Sequence, residues 1–231
     1  MNQLILCIDL GTTGCQATIF NKNGERLSKG YQEYQSIYLS SGWIDHDPDT
    51  WLKATQKTAQ KAIIQSRINP QNISAISITS QRATFIPVDR EGNALDNAIL
   101  WQDKRAIEET KLLINAYGIK KIHSTTGLRI DPYFSLPKLL WLKKNKKEVY
   151  DEAFKFLSVQ DFIISYLTGV LKTDWTQASR TMLFNINKFR WEEELIKDVG
   201  IDFNKLPDVV PPGSIIGTLT RCAASKLGLP E

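Results

Sequence analysis

The sequence predicts an α/β fold with a mixed sheet flanked by helices, and three observations predict it. The apolar run Leu4-Ile5-Leu6-Cys7-Ile8 leads into Asp9-Leu10-Gly11-Thr12-Thr13-Gly14, a strand ending in an acid and a turn of small, hydroxylated residues. Cys15, Ala17 and Ile19 then alternate with Gln16, Thr18 and Phe20 as far as Asn23-Gly24, a hairpin pair tolerant of positive φ. Beyond that hairpin, helical and strand periodicities alternate, as they do in α/β domains.

Each element follows in order. Arg26-Leu27-Ser28-Lys29-Gly30 is the returning hairpin strand. Asp45-His46-Asp47-Pro48 starts a helix, with Asp47 as cap and Pro48 at the first position, where a missing N–H costs nothing. Trp51, Thr55, Ala59, Ala62, Ile63 and Ser66 form its small-to-apolar face down to Arg67, and Asn69-Pro70 stops it. Residues 73–79 read as a strand and 85–88 as another, with a turn at 89–93 before Ala98-Ile99-Leu100. Helical patterns span 103–117, 134–144, 160–167 (closed by Gly169) and 191–199. Pro211-Pro212-Gly213-Ser214 is a loop, and 223–227 a short last helix. A chain ending in Gly228-Leu229-Pro230-Glu231 is expected to lead into another strand.

Composition excludes several function classes. Hydrophobic residues make up 42% and charged residues 23% of the 231 residues, ordinary for a globular chain. The net charge of +4 does not argue for nucleic acid. The basic run 143–147 reads as the solvated end of the preceding helix. No stretch approaches the roughly 18 apolar residues of a membrane span, and the N-terminus lacks a charged region and cleavage site. Cys7, Cys15 and Cys222 have no paired spacing, so reduced thiols in the cytoplasm are expected rather than disulfides or zinc.

The turn after Asp9 is suited to phosphate chemistry. Glycine lets the backbone approach closely, and successive backbone N–H groups form a concave anion site. Asp9 supplies a hard carboxylate oxygen for Mg²⁺, direct or through water. No Gly-Lys-Ser/Thr follows, so this is not a P-loop, and the dinucleotide glycine spacing is absent. Four polar clusters complete the picture: Gly42 to Pro48, Ser80 to Thr84, Trp101 to Arg105, and Thr126 to Ser135. Singly, each has a structural explanation: Trp43 and Trp101 as core, Arg82 in a surface ion pair, Asp131-Pro132 as a helix cap. Together they make a polyol or sugar site, since indole packs on C–H faces, Arg and Gln bind hydroxyls, and Tyr offers both.

The opening strand, turn, strand, turn, strand resembles the actin-like ATPase (ribonuclease H-like) fold. The whole chain resembles the N-terminal half of the FGGY carbohydrate kinases, and within them the glycerol kinases. The resemblance is carried in order by residues 9–13, 42–48, 81–82, 97–102, 126–128, 130–135 and 178–186. It implies one sugar-binding domain over 1–231, one lobe of a two-lobe kinase whose C-terminal nucleotide-binding domain lies outside this chain. It implies ATP and Mg²⁺ as cofactors, with phosphorylation of a terminal hydroxyl of a sugar or polyol. Asp9, Gly11, Thr12, Thr13, Gly14 and Gln16 match nucleotide-side positions, Asp9 also the metal position, and Gln81, Arg82, Ala83, Trp101, Asp131 and Tyr133 match the acceptor-lining ones. Expected partners are the sugar or polyol and the chain's own C-terminal lobe, with a homodimer left open and neither nucleic acid nor membrane.

Three departures qualify the likeness. Ala83 stands where glycerol kinases carry a glutamate that accepts substrate hydroxyls; its loss leaves hydroxyls unpaired and opens space, so a substrate larger than glycerol is expected. Gln16 replaces an arginine that reaches toward phosphates, and Leu10 replaces a glutamine beside the turn. The family's catalytic base is an aspartate in a Gly-Asp-Gln-type turn, which does not occur here and is expected shortly past Glu231; the chain alone is therefore expected to be inactive. The alternatives are a non-catalytic sugar-binding module and another actin-like ATPase, against which the sugar clusters argue.

Overall fold

The computed structural model describes residues 3–40 and 42–230; Glu231 lies outside the described residues. The opening reading holds. Leu4–Leu10 (β1), Gly14–Asn21 (β2) and Arg26–Glu33 (β3) form an antiparallel meander, and Ile73–Ser80 (β6) adds parallel to β1, giving the order β3-β2-β1-β6. The hairpin turns at Gly24, whose φ of 79° is left-handed, while the Asn21 side chain accepts from the N–H groups of Asn23 and Glu25. Between these strands, Ile37–Ser40 (β4) and Trp43–His46 (β5) pair antiparallel, and Pro48–Ser66 (α1) packs across β2 and β3. Asp47 caps α1 through Asp49 N–H with Pro48 in the first turn, as the sequence dictates.

The middle of the chain is built from shorter pieces. Ile86–Val88 (β7) and Ala98–Ile99 (β8) precede the long helix Ile107–Thr126 (α2). Ser135–Asn145 (α3), Lys147–Glu152 (α4), Lys155–Leu157 (β9) and Val159–Thr168 (α5) follow. Lys172–Asp174 (β10), Trp175–Ala178 (α6), Phe184–Asn185 (β11), Arg190–Trp191 (β12), Glu193–Asp198 (α7), Asp208–Val210 (β13) and Arg221–Leu227 (α8) complete it. One apolar core lies between the main sheet and α1, α5 and α8; a second lies among α2, α3 and residues 178–206. No helix among the described residues is long and apolar enough to cross a membrane.

Three boundaries depart from the sequence reading. The helix expected at 103 begins at Ile107 and runs on to Thr126, with a break at Gly118 (φ 69°). Asp103 and Arg105 are withheld from it by a buried cluster: Arg105 bonds Asp45 and Asp103 together, between the rings of Trp43 and Trp141. Trp191 belongs to β12, opposite Phe184, and α7 starts after it. The segment around Trp43 is a strand and not merely a helix lead-in, because it has two partners, β4 and β8.

Candidate active site

The site is assembled where β1 and β6 run side by side and end together. Asp9 registers with Gln16 of β2 on one side and Thr79 of β6 on the other. Its side chain lies on the exposed face of β1, with partial desolvation raising its carboxyl above the ordinary range. The turn after it is closed by a hydrogen bond from Gly11 N–H to Gly14 C=O, 2.9 Å, and the Tyr34 hydroxyl donates to the Gly11 carbonyl at 2.7 Å. A Cβ on Gly14 would lie 2.6 Å from the Tyr31 hydroxyl oxygen, so any larger residue here would push the exposed Tyr31 ring aside. The Thr12 and Thr13 amides meet no acceptor among the described residues, which leaves them for an anion. Among the described residues, the Gln16 side chain makes one long bond, its amide donating to the Thr18 hydroxyl at 3.4 Å.

The acceptor-side residues come to the same place. Gln81 N–H donates to Leu10 C=O at 2.7 Å, which fixes the end of β6 against the start of the phosphate turn. The Gln81 Oε1 lies 3.5 Å from the hydroxyls of Thr12 and Thr84, and its buried Nε2 has no partner among the described residues. A buried unpaired donor is costly, and a ligand oxygen would satisfy it. Trp101 N–H donates to the Thr84 hydroxyl, and its indole N–H donates to the Thr12 hydroxyl, both at 3.0 Å. The Trp101 and Tyr133 rings lie 5.1 Å apart, and the Arg180 guanidinium stands 5.7 Å from the Tyr133 ring centre. Thr12, Gln81, Trp101 and Tyr133 thus form one connected surface joining the turn at residues 11–14 to the Trp101–Tyr133 aromatic pair.

The remaining expected residues lie at its margins. Arg82 is exposed and makes no ion pair among the described residues, so it has no structural employment. Asp131 closes a turn by accepting Tyr133 N–H at 3.0 Å and pairs with Arg129 at 2.9 Å; it does not cap α3, whose cap position is Phe134. Ala83 is 3% exposed with a left-handed φ of 63°, a conformation rare for a residue with a Cβ. The space beside it is a small recess of about 30 Å³ among Thr84, Ser135, Asp161, Gln177 and Thr181, room for about one water. A groove of about 610 Å³ lies elsewhere, along β6 and the loop after Val210.

Two groups were not legible as functional. Lys138 of α3 is fully buried, donating to the carbonyls of Ala83, Leu100 and Tyr133; the signal was a lysine inside the apolar stripe Leu136, Leu139, Leu142. Tyr34, which anchors the phosphate turn, carried no sequence signal. For Mg²⁺ the chemistry fits: Asp9 offers one hard oxygen, and no three His, Cys, Asp or Glu residues gather among the described residues. Mg²⁺ is commonly held by one or two carboxylates, waters and substrate phosphates rather than by a protein cage.

Comparison with known proteins bears on the family and the fold. The profile of the N-terminal domain of the FGGY family of carbohydrate kinases matches residues 4–231. A glycerol kinase of Thermococcus onnurineus is 39% identical over 221 residues, covering 94% of this chain and 45% of the relative. The crystal structure of a gluconate kinase from Lactobacillus acidophilus superposes with a TM-score of 0.92 at 29% identity, over 100% of this chain and 46% of that one. That of Plasmodium falciparum glycerol kinase with ADP does so with a TM-score of 0.90 at 28% identity, over 99% and 47%. The chain spans about half the length of the curated relatives it matches.

Proposed function

The chain belongs to the FGGY family of carbohydrate kinases, and from that premise we propose that the protein containing it transfers a phosphoryl group from ATP to a terminal hydroxyl of a sugar or polyol. The observation that carries this reading is the 3.0 Å bond from the Trp101 indole to the Thr12 hydroxyl, which couples the acceptor wall to the phosphate turn. In this reading the Thr12 and Thr13 amides and hydroxyls hold phosphate oxygens, beside Gln16. Asp9 would hold Mg²⁺, which supplies neutralisation of charge on the transferred group when bound. Trp101 and Tyr133 present ring faces to the carbon skeleton, and Gln81, Arg82 and Asp131 offer polar atoms to its hydroxyls. Placing the hydroxyl beside the phosphate is most of the catalysis such a lobe can supply, because orientation removes much of the barrier.

The proton of the attacking hydroxyl needs an acceptor, and the wall does not offer a free one. Asp131 is engaged by Arg129 and the Tyr133 amide, and Asp45 and Asp103 enclose Arg105. The base and the rest of the nucleotide pocket belong, in this proposal, to a second lobe of the same protein. Ala83 brings no hydroxyl acceptor to the wall, so we assign poor use of glycerol and, as expected from the sequence, preference for a larger substrate; the recess beside Ala83 is too small to be the ground for it. The test is ATP consumption by the full-length protein with glycerol, erythritol, xylulose, ribulose and gluconate. Turnover of a larger substrate with poor use of glycerol is expected. Efficient glycerol use at micromolar KM would remove the substrate assignment and keep the kinase. No turnover of any would sink the kinase reading.

A further inference from the structure

We propose that Lys138 is the positioning residue of the acceptor wall, a buried ammonium that pins the three segments carrying Arg82, Trp101 and Tyr133 to one point. The Nζ donates to the carbonyl of Ala83 at 2.8 Å, of Leu100 at 2.9 Å and of Tyr133 at 3.0 Å. Each carbonyl belongs to, or directly precedes, a residue expected to face the substrate. In its charged form the amine has three N–H donors, and the three carbonyls take all of them. None is left for a ligand, so Lys138 acts through the wall and does not touch the reacting atoms. Where a function is assigned to the wall, this inference rests on the kinase reading; the tie itself does not.

The arrangement is costly, which argues for a purpose. The side chain is 0% exposed, and among the described residues no carboxylate lies within ion-pair distance of it. A buried cation without a partner is strongly unfavourable unless hydrogen bonds replace water. Three carbonyls do so, one of them on Ala83 with its left-handed backbone. Such a conformation persists only where its surroundings over-determine it. The charged groups that act on the amine are Asp103, which favours its charge, and Arg105, which opposes it; burial is the larger influence and lowers its pKa to about 7.

The test compares the full-length protein with its Lys138→Met variant, which keeps a similar chain length and removes all three donors. Amide hydrogen exchange is read by mass spectrometry. Residues 81–85, 100–103 and 131–135 are expected to exchange at least ~10-fold faster together, while the hairpin of residues 4–21 stays within about twofold. In steady-state kinetics the acceptor KM is expected to rise ~10-fold or more with the ATP KM within about threefold. If Lys138→Met does not fold, Lys138→Gln, with one amide of two N–H donors, is measured instead and should show the same pattern at smaller amplitude. Unchanged exchange at the three segments, or an increase spread evenly over the lobe, would overturn the proposal. If the wild-type protein turns over no sugar, the kinase reading fails and the exchange pattern alone decides the role of Lys138.

Discussion

At the scale of the residue, the Trp101–Thr12 contact makes the sharpest forecast. Trp101→Phe keeps a ring against Tyr133 but deletes the N–H that reaches Thr12. A single neutral hydrogen bond is worth about 1 kcal/mol, so acceptor kcat/KM in the full-length enzyme should fall roughly fivefold. The same variant should weaken ATP by less; an unchanged acceptor kcat/KM would show that the bond does not organise the wall. Two buried ionisable groups make a second forecast. Burial raises Asp161 from 3.8 to about 7, and lowers Lys138 from 10.5 to about 7. For Asp161 the folded chain holds the proton more tightly, so its contribution is full below 3.8 and is lost as pH rises through about 7. For Lys138 the unfolded chain holds it more tightly, so stability returns as pH rises from about 7 toward 10.5. Their joint contribution is lowest near neutrality. Asp161→Asn keeps an acceptor for the Ser158 N–H, which Asp161 now takes at 3.0 Å. It should flatten the acid side of a plot of Tm against pH and raise Tm at pH 8; an unaltered slope between pH 4 and 7 would refute the assignment. Residue-scale legibility was uneven for a physical reason. Asp9, Thr12, Gln81, Trp101 and Tyr133 stand in short polar clusters that chemistry alone makes conspicuous. Tyr34 bonds an atom 23 residues away, and two of the three Lys138 partners lie 38 and 55 residues away, which no local pattern records.

At the scale of the element, local signals sufficed where the element carries its own instructions. β1, β2 and β3 have an alternating pattern and a glycine turn; α1 has Asp47 and Pro48 at its start and an αL residue, Arg67, at its end. α5 is closed by a capping box at Ser158 and Asp161 and by Gly169 in the αL region. The boundaries that sequence missed are those decided by tertiary partners: β5 by two neighbouring strands, α2 by the Arg105 cluster, Trp191 by pairing with Phe184. The packing of α1 on β3 depends on one residue that periodicity treats as a gap. A Cβ on Gly30 would lie 2.1 Å from the Thr58 carbonyl oxygen and 3.1 Å from the Lys61 Cβ. Backbone cannot yield as a side chain tip would, so Gly30→Ala must lift α1 off the sheet. Overpacking of this kind costs about 1–3 kcal/mol, and thermal denaturation should register it as a loss of several degrees. A neutral Gly30→Ala would mean that the helix is not seated as closely as described.

At the scale of the whole molecule, the main sheet has one covered face and one that is more open. α1, α5 and α8 bury one face of the sheet, where Leu6, Leu10 and Ile19 are fully enclosed. On the other face Ile5 is 38% exposed, and β6 is an edge strand with the 610 Å³ groove beside it, lined by Ile76, Ile78, Gln160, Leu167, Ile216 and Leu229. An open apolar edge invites pairing. Relatives of which this chain covers less than half have the length to cover it with their own continuation. Among the described residues, the wall proposed to face the sugar likewise offers no free carboxylate to take the hydroxyl proton. If the proposed kinase reading holds, residues 1–231 alone should consume no ATP with any of the five acceptors, whereas a longer protein containing them should turn one of them over. If a longer protein containing this chain pairs a further segment with β6, the β6 amides should exchange more slowly there than in the 1–231 chain, and equal exchange would show that the edge stays open. ATP-dependent phosphorylation by the purified 1–231 chain would place a proton acceptor within this lobe, and Asp9 and Asp131 would then be the carboxylates to substitute first.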